Sequence, residues 1–179
     1  MIDFYSPTFQ KSCRSSGKYD EVLGALKKCP FCDLKDKYII SEKDDVVLSA
    51  NLFPYVDGHL IIIPRRHLEQ LDQLSEKEWS AVKILTEKAI RLLKEKMKVN
   101  DLQFVYREGD KAGKSLKHLH FNLIPYDEDL IKWQYQAIKI SPLELAKLLK
   151  NGAKDSPFKS SVRKSRVYKE DRKTANLVH

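Results

Sequence analysis

No stretch of the chain is apolar over the roughly 20 residues that a membrane-spanning helix requires. Met1-Ile2-Asp3-Phe4-Tyr5 also lacks the basic region and apolar run of a leader peptide, so no membrane is expected among its partners. Cysteine is scarce: Cys13, Cys29 and Cys32 are all there is. So small and odd a count argues against a disulfide framework, fits a reducing compartment and predicts a cytoplasmic location. No segment repeats another. Histidine occurs only five times, few enough that its grouping carries information.

What is present is the composition of a folded domain. Of 179 residues, 42% are hydrophobic and 32% charged, and a chain of this length buries a core without covalent staples. The net charge of +8 favours anionic partners but is unevenly spread: residues 153–179 hold eight Lys or Arg against three Asp or Glu. A nucleic-acid partner would have to rest on that tail.

The pattern predicts three regions: an N-terminal extension over 1–28, a domain over 29–152, and a flexible basic tail over 153–179. In the extension, Ser12, Ser15, Ser16 and Gly17 mark a flexible stretch, and Asp20 to Lys28 reads as a short helix. Tyr38-Ile39-Ile40 and Val46-Val47-Leu48 read as strands around a polar turn, Glu42-Lys43-Asp44-Asp45. His59 to Ile63 is an apolar, β-branched run ended by Pro64, which favours a buried strand.

Ser75 and Glu78 form a capping box, after which Trp79, Val82, Leu85, Ala89, Leu92, Leu93 and Met97 recur at helical spacing to about Val99. Leu102 to Arg107 and His118 to Leu123 alternate as strands, with His118, His120 and Asn122 on one face. A second capping box, Ser141 to Glu144, opens a short helix that Asn151-Gly152 closes. The order predicts an α+β fold: an antiparallel meander with one long and one short helix packed on it.

Two of the five histidines, His118 and His120, share a strand face, and His59 and His67 flank the preceding apolar strand. Imidazole is neutral and nucleophilic near pH 7. Attack by a ring nitrogen on phosphorus gives a phosphoramidate and divides one hard displacement into two easier ones. Such a site needs donors for the phosphate oxygens. Gly109 to Ser115, just before the histidines, supplies backbone amides freed by glycine and a hydroxyl.

These residues resemble the histidine triad family, whose signature is three histidines alternating with apolar residues at the end of a strand. Here it reads H-L-H-F-N-L-I. The upstream E-G-D-K-A-G-K-S-L-K is similar to the family's phosphate loop, and N-L-F-P-Y-V-D-G-H-L-I-I-I-P-R-R-H to its nucleotide-side strand. The resemblance covers roughly residues 29–150. Among subfamilies the chain looks most like the diadenosine polyphosphate phosphorylases and hydrolases.

The resemblance implies a nucleotide-binding HIT-like fold and roles residue by residue. His120 matches the covalent nucleophile, and the backbone carbonyl of His118 would orient it. Asn51 and Leu52 match ribose and base contacts, Arg107 a phosphate contact, and Ser115 with the Gly113 backbone the α-phosphate cradle. Cys29, Cys32, His67 and His118 match the ligands of a structural zinc in the members that carry one. Relatives pair through the long-helix region, which implies a homodimer.

Asn122 departs from the pattern, standing where most relatives have His. Asn can hydrogen-bond a phosphate oxygen but cannot protonate a leaving group at pH 7. An amine leaving group needs that proton, whereas a phosphate needs it much less. The expected activity is therefore cleavage of P–O–P bonds in dinucleoside polyphosphates such as diadenosine tetraphosphate. Two alternatives stay open: nucleotidyl transfer to a sugar phosphate, and a weakly catalytic nucleotide-binding module tethered to nucleic acid by the basic tail. Plainer roles are expected for His59, in packing or behind the site, and for Arg65 and Arg66, in a solvated turn.

Overall fold

The computed structural model describes residues 6–126 and 139–152. The strands are β1 (Ile39–Lys43), β2 (Val46–Ala50), β3 (Leu60–Pro64), β4 (Leu102–Tyr106) and β5 (Phe121–Pro125). They form one antiparallel sheet in the order β1-β2-β3-β5-β4. The fold is α+β, as the sequence pattern predicts, but it is not a simple meander: β5 enters between β3 and β4 and leaves β4 at the edge. The helices are α1 (Pro7–Ser12), α2 (Tyr19–Ala25), α3 (Glu76–Met97) and α4 (Pro142–Gly152). Among the described residues no helix is long and apolar enough to cross a membrane.

The first hairpin is tighter than the sequence suggests. Lys43 pairs with Val46, so only Asp44 and Asp45 turn the chain, at φ 48° and 60°. A two-residue turn with both centres left-handed matches the twist of the strands, and Asp tolerates that conformation.

Helix α3 covers one face of the sheet. Ser75 Oγ accepts from Glu78 N, while the Glu78 carboxylate accepts from Ser75 N at 2.8 Å. Ala81, Val82, Leu85, Ala89 and Leu93 pack against Val46, Leu48, Leu60, Ile62, Phe121 and Leu123. Trp79 and Met97, expected on this apolar stripe, are instead about half exposed, at 49% and 46%. Eighteen residues apart, they fall on the same flank after five turns, roughly a right angle from the core stripe. Trp79 leans over the rim onto Phe121, 5.7 Å between ring centres. The helix stops at Met97, two residues before the predicted end, because Lys98 adopts the left-handed conformation and its N–H caps Leu93 O.

The other face of the sheet is closed as well: Val47, Ser49, Ile61, Ile63 and Asn122 are all buried. That is why the β3 sequence reads as an unbroken apolar run rather than an alternation. Gly58, at φ 83°, turns the chain into β3 where a Cβ would lie 3.1 Å from Leu93 and 3.2 Å from Met97 and Pro125.

The described residues fall into two units, 6–126 and 139–152. The N-terminal segment belongs to the first unit because it buries Cys13 and Val22 completely. Its Ser12–Gly17 stretch, expected to be flexible, is a hydrogen-bonded turn: Cys13 O accepts from Lys18 N and Arg14 O from Gly17 N. Helix α2 ends at Ala25 rather than Lys28. In the second unit, α4 keeps the predicted capping box, Ser141 Oγ donating to Glu144 at 2.6 Å, while Leu143, Leu145 and Leu149 are exposed. The basic tail beyond Gly152, including its expected polyanion contacts, lies outside the described residues.

Candidate active site

His118 and His120 lie just before β5, in chain held by the bond from Leu119 N to Leu68 O. Both side chains are buried, yet the two rings are fixed in opposite tautomers. His120 Nδ1 lies 2.8 Å from His118 O. A carbonyl only accepts, so Nδ1 carries the proton and Nε2 presents a lone pair. His118 does the reverse: its Nε2 donates to Pro64 O at 2.9 Å, leaving the Nδ1 lone pair free. Burial depresses the pKa of His120, with Lys114 and Arg107 adding to the effect and the His118 carbonyl opposing it. Burial also pushes His118 down to about 4. Both rings are therefore neutral at pH 7, the form a nucleophile requires.

His120 lines a cleft that opens to solvent. Of the residues expected here from the sequence, the cleft brings together His120, Asn122, Asn51, Leu52, Arg107 and Ser115. Gly113 is not in its wall. At φ 74° Gly113 turns the 109–115 segment beside Arg107, so its contribution is to the path of the chain.

Asn122 and Asn51 are tied together through His59. The ring of His59 accepts from Tyr55 N at Nδ1 and donates from Nε2 to Asn122 Oδ1 at 3.1 Å. Asn122 Nδ2 donates to Val105 O at 3.5 Å, which leaves its second amide hydrogen for the cleft. Asn51 approaches the same His59 ring with Nδ2 while its Oδ1 accepts from Phe53 N at 2.9 Å. Its side chain is thus engaged in building the 51–55 loop as well as lining the cleft. His59 is buried and its pKa is pushed down to about 4, mainly by desolvation. The expectation that it stands behind the site agrees with these contacts.

Arg65 and Arg66 take no part. They form bidentate pairs with Glu42 and Glu78 respectively. The turn is therefore salt-bridged rather than merely solvated. Glu78, largely buried, is held down to about 2 by the Arg66 guanidinium and by Ser75.

Beside His120, Cys29, Cys32, His67 and His118 bring their ligand atoms within 4.8 Å of one another. Cys32 Sγ lies 3.3 Å from His67 Nδ1 and 3.5 Å from His118 Nδ1, and Cys29 Sγ lies 3.4 Å from His118 Nδ1. Tetrahedral zinc with ordinary bond lengths separates sulfur from nitrogen by about 3.5 Å, so the donor set fits. The bond from His118 Nε2 to Pro64 O fixes the ring with its free lone pair toward the sulfurs, as a metal ligand requires. Phe31, between the two cysteines, sets its ring edge-on to His118 at 5.8 Å and to His120 at 5.1 Å.

Sequence reasoning misses part of the wall. Arg14, Tyr19 and Val22 of the N-terminal segment line the cleft together with Tyr55. Tyr19 Oη is hydrogen-bonded to Ser115 Oγ at 2.9 Å, and Tyr55 stacks on His59 at 5.0 Å. Tyr55 lies inside the N-L-F-P-Y motif and could be read from it. Arg14 and Tyr19 sit in a stretch with no periodicity and no motif.

Comparison with known proteins bears on the family of the chain. The sequence profile of the HIT domain matches residues 34–129. An uncharacterized HIT-like protein of Mycoplasma genitalium, MG132, is 32% identical over 101 residues, covering 54% of this chain and 72% of that protein. An AP-4-A phosphorylase of Mycobacterium tuberculosis is 36% identical over 114 residues, covering 60% of this chain but only 58% of that protein. The crystal structure of a HIT family member from Bacillus subtilis superposes with a TM-score of 0.62 at 22% identity, covering 73% of this chain and 98% of that one. That likeness bears on the fold. The matched profile spans more than half of the sequence, and the chain belongs to the HIT domain family.

Proposed function

We propose that the chain cleaves the P–O–P linkage of dinucleoside polyphosphates, diadenosine tetraphosphate among them, through a nucleotidyl-His120 intermediate. The observation that carries this reading is the fixed tautomer of His120, whose Nε2 lone pair faces a cleft lined by Arg107, Ser115 and Asn122. Nε2 attacks the α-phosphorus, and the P–O bond to the bridging oxygen breaks with its electron pair on the departing polyphosphate. The Nδ1–H bond to His118 O stays in place and stabilises the charged ring. Water or inorganic phosphate then attacks the same phosphorus, displaces Nε2 and restores the neutral ring.

Asn122 supplies no proton, and a polyphosphate leaving as an anion needs none. The likeness to an AP-4-A phosphorylase supports the substrate class. Cys29, Cys32, His67 and His118 would hold zinc in a closed, structural role, bracing the knuckle around Phe31 against the segment before β5 that bears His120. A second copy of the chain would pack on edge strand β4 and the adjoining flank of α3, where half-exposed Phe104 and Trp79 lie against buried Phe121.

Intact mass after brief incubation with diadenosine tetraphosphate tests the chemistry. A nucleotide adduct is expected on the native chain and none on His120→Ala. Equal turnover by that variant overturns the assignment, and adding inorganic phosphate or a sugar phosphate identifies the acceptor.

A further inference from the structure

Among the described residues, four arginines divide sharply. Arg65 and Arg66 each hold a carboxylate in a two-pronged bond. Among the described residues, no carboxylate lies within ion-pair distance of Arg14 or Arg107, and both of these line the cleft that holds His120. Arg14 is half-buried between two aromatic rings, its guanidinium carbon 3.8 Å from the centre of Tyr19 and 4.0 Å from that of Tyr55. Its Nε donates to Phe53 O. Arg107 approaches the same Tyr55 ring at 5.6 Å. Two like charges held within about 10 Å of each other by one ring repel unless an anion joins them.

The N-terminal segment is built to hold Arg14 there. Buried Cys13 anchors the turn, and Gly17, at φ 73°, lets the chain reverse into α2. Tyr19, at the start of α2, then both stacks on the guanidinium and reaches Ser115. Arg14 thus enters the cleft from the N-terminal segment, linked through Tyr19 to Ser115, while Arg107 enters it from the end of β4. A phosphate under attack at His120 would meet Ser115 and Arg107; the next phosphates along would meet Arg14.

We infer that Arg14 recognises the leaving polyphosphate, so that the N-terminal segment sets a preference for substrates with phosphates beyond the one attacked. This rests on the proposed cleavage for its direction along the substrate, but not for its test. In the His120→Ala background, binding of AMP, ADP and ATP is measured with Arg14 and with Arg14→Ala. Affinity is expected to rise with phosphate number when Arg14 is present. Arg14→Ala should weaken ATP by about tenfold, the weight of one charge-assisted contact, and leave AMP within about twofold. Arg14→Lys should recover part of the loss. An equal loss for all three nucleotides would show a merely structural role and overturn the inference, as would no loss at all.

Turnover gives the second arm. With His120 intact, Arg14→Ala should lower kcat/KM for diadenosine tetraphosphate and spare the p-nitrophenyl ester of AMP, whose leaving group carries no phosphate. If the native chain cleaves neither substrate, the proposed activity fails while the nucleotide series still decides the role of Arg14.

Discussion

The pH dependence of stability can be worked from His59. The ring is buried, its two nitrogens serve Tyr55 N and Asn122 Oδ1, and its pKa falls from the ordinary 6.5 to about 4. The unfolded chain therefore takes up a proton at His59 below about pH 6.5 while the folded chain refuses it until about pH 4. A depressed histidine contributes stability that is intact above pH 6.5 and is lost as the pH falls toward 4. At pH 5 the loss from this one ring is about 2 kcal/mol, and its full extent is about 3 kcal/mol. The carboxylates whose pKa values lie low, Glu78 at about 2 among them, act with the same sign but only below about pH 4.5.

Urea unfolding at pH 7.5 and pH 5.0 isolates the histidine contribution. His59→Gln keeps an amide donor toward Asn122 but does not titrate. It should be less stable than the native chain at pH 7.5, and its decline between the two pH values should be smaller by about 2 kcal/mol. If the variant and the native chain lose the same stability over that interval, His59 is not held neutral by the fold and the reasoning is wrong.

Other outcomes follow from the site. Asn122→His should introduce a leaving-group acid and raise the rate on adenosine phosphoramidate by about a hundredfold, read from release of the amine; no gain would mean that the proton reaches the substrate some other way. Cys29→Ser should abolish bound zinc in native mass spectrometry and lower the melting temperature, while identical metal content in both proteins would remove the proposed site. Phe104→Glu, a charge placed on the half-exposed edge of β4, should shift a homodimer to monomer in sedimentation velocity. Unchanged sedimentation would place any pairing surface elsewhere.

Much of the scaffold can be read from local rules. The Leu60–Ile63 run and the Ser75–Glu78 box each depend on neighbours in sequence, and each forms in the structure; the strand expected over His118 to Leu123 begins only at Phe121. What escapes is what depends on distant partners. Trp79 and Val82 look equivalent by spacing, and only the position of the sheet decides which of them is buried. His118 and His120 are the same residue type two apart, and their opposite tautomers are set by Pro64 O and by a backbone carbonyl. Arg14 resembles any other surface cation until the chain folds it against Tyr19 and Tyr55. Its part in the site is carried by cation–π contacts, which leave no periodic trace.

Residue 118 holds two posts at once, and they are independent. Its imidazole addresses the two cysteines, while its peptide carbonyl steadies the ring two residues on. Every amino acid carries that carbonyl, so the contact that orients the His120 ring does not depend on the side chain at 118. Loss of the thiol–imidazole cluster would leave the bond that orients His120 in place.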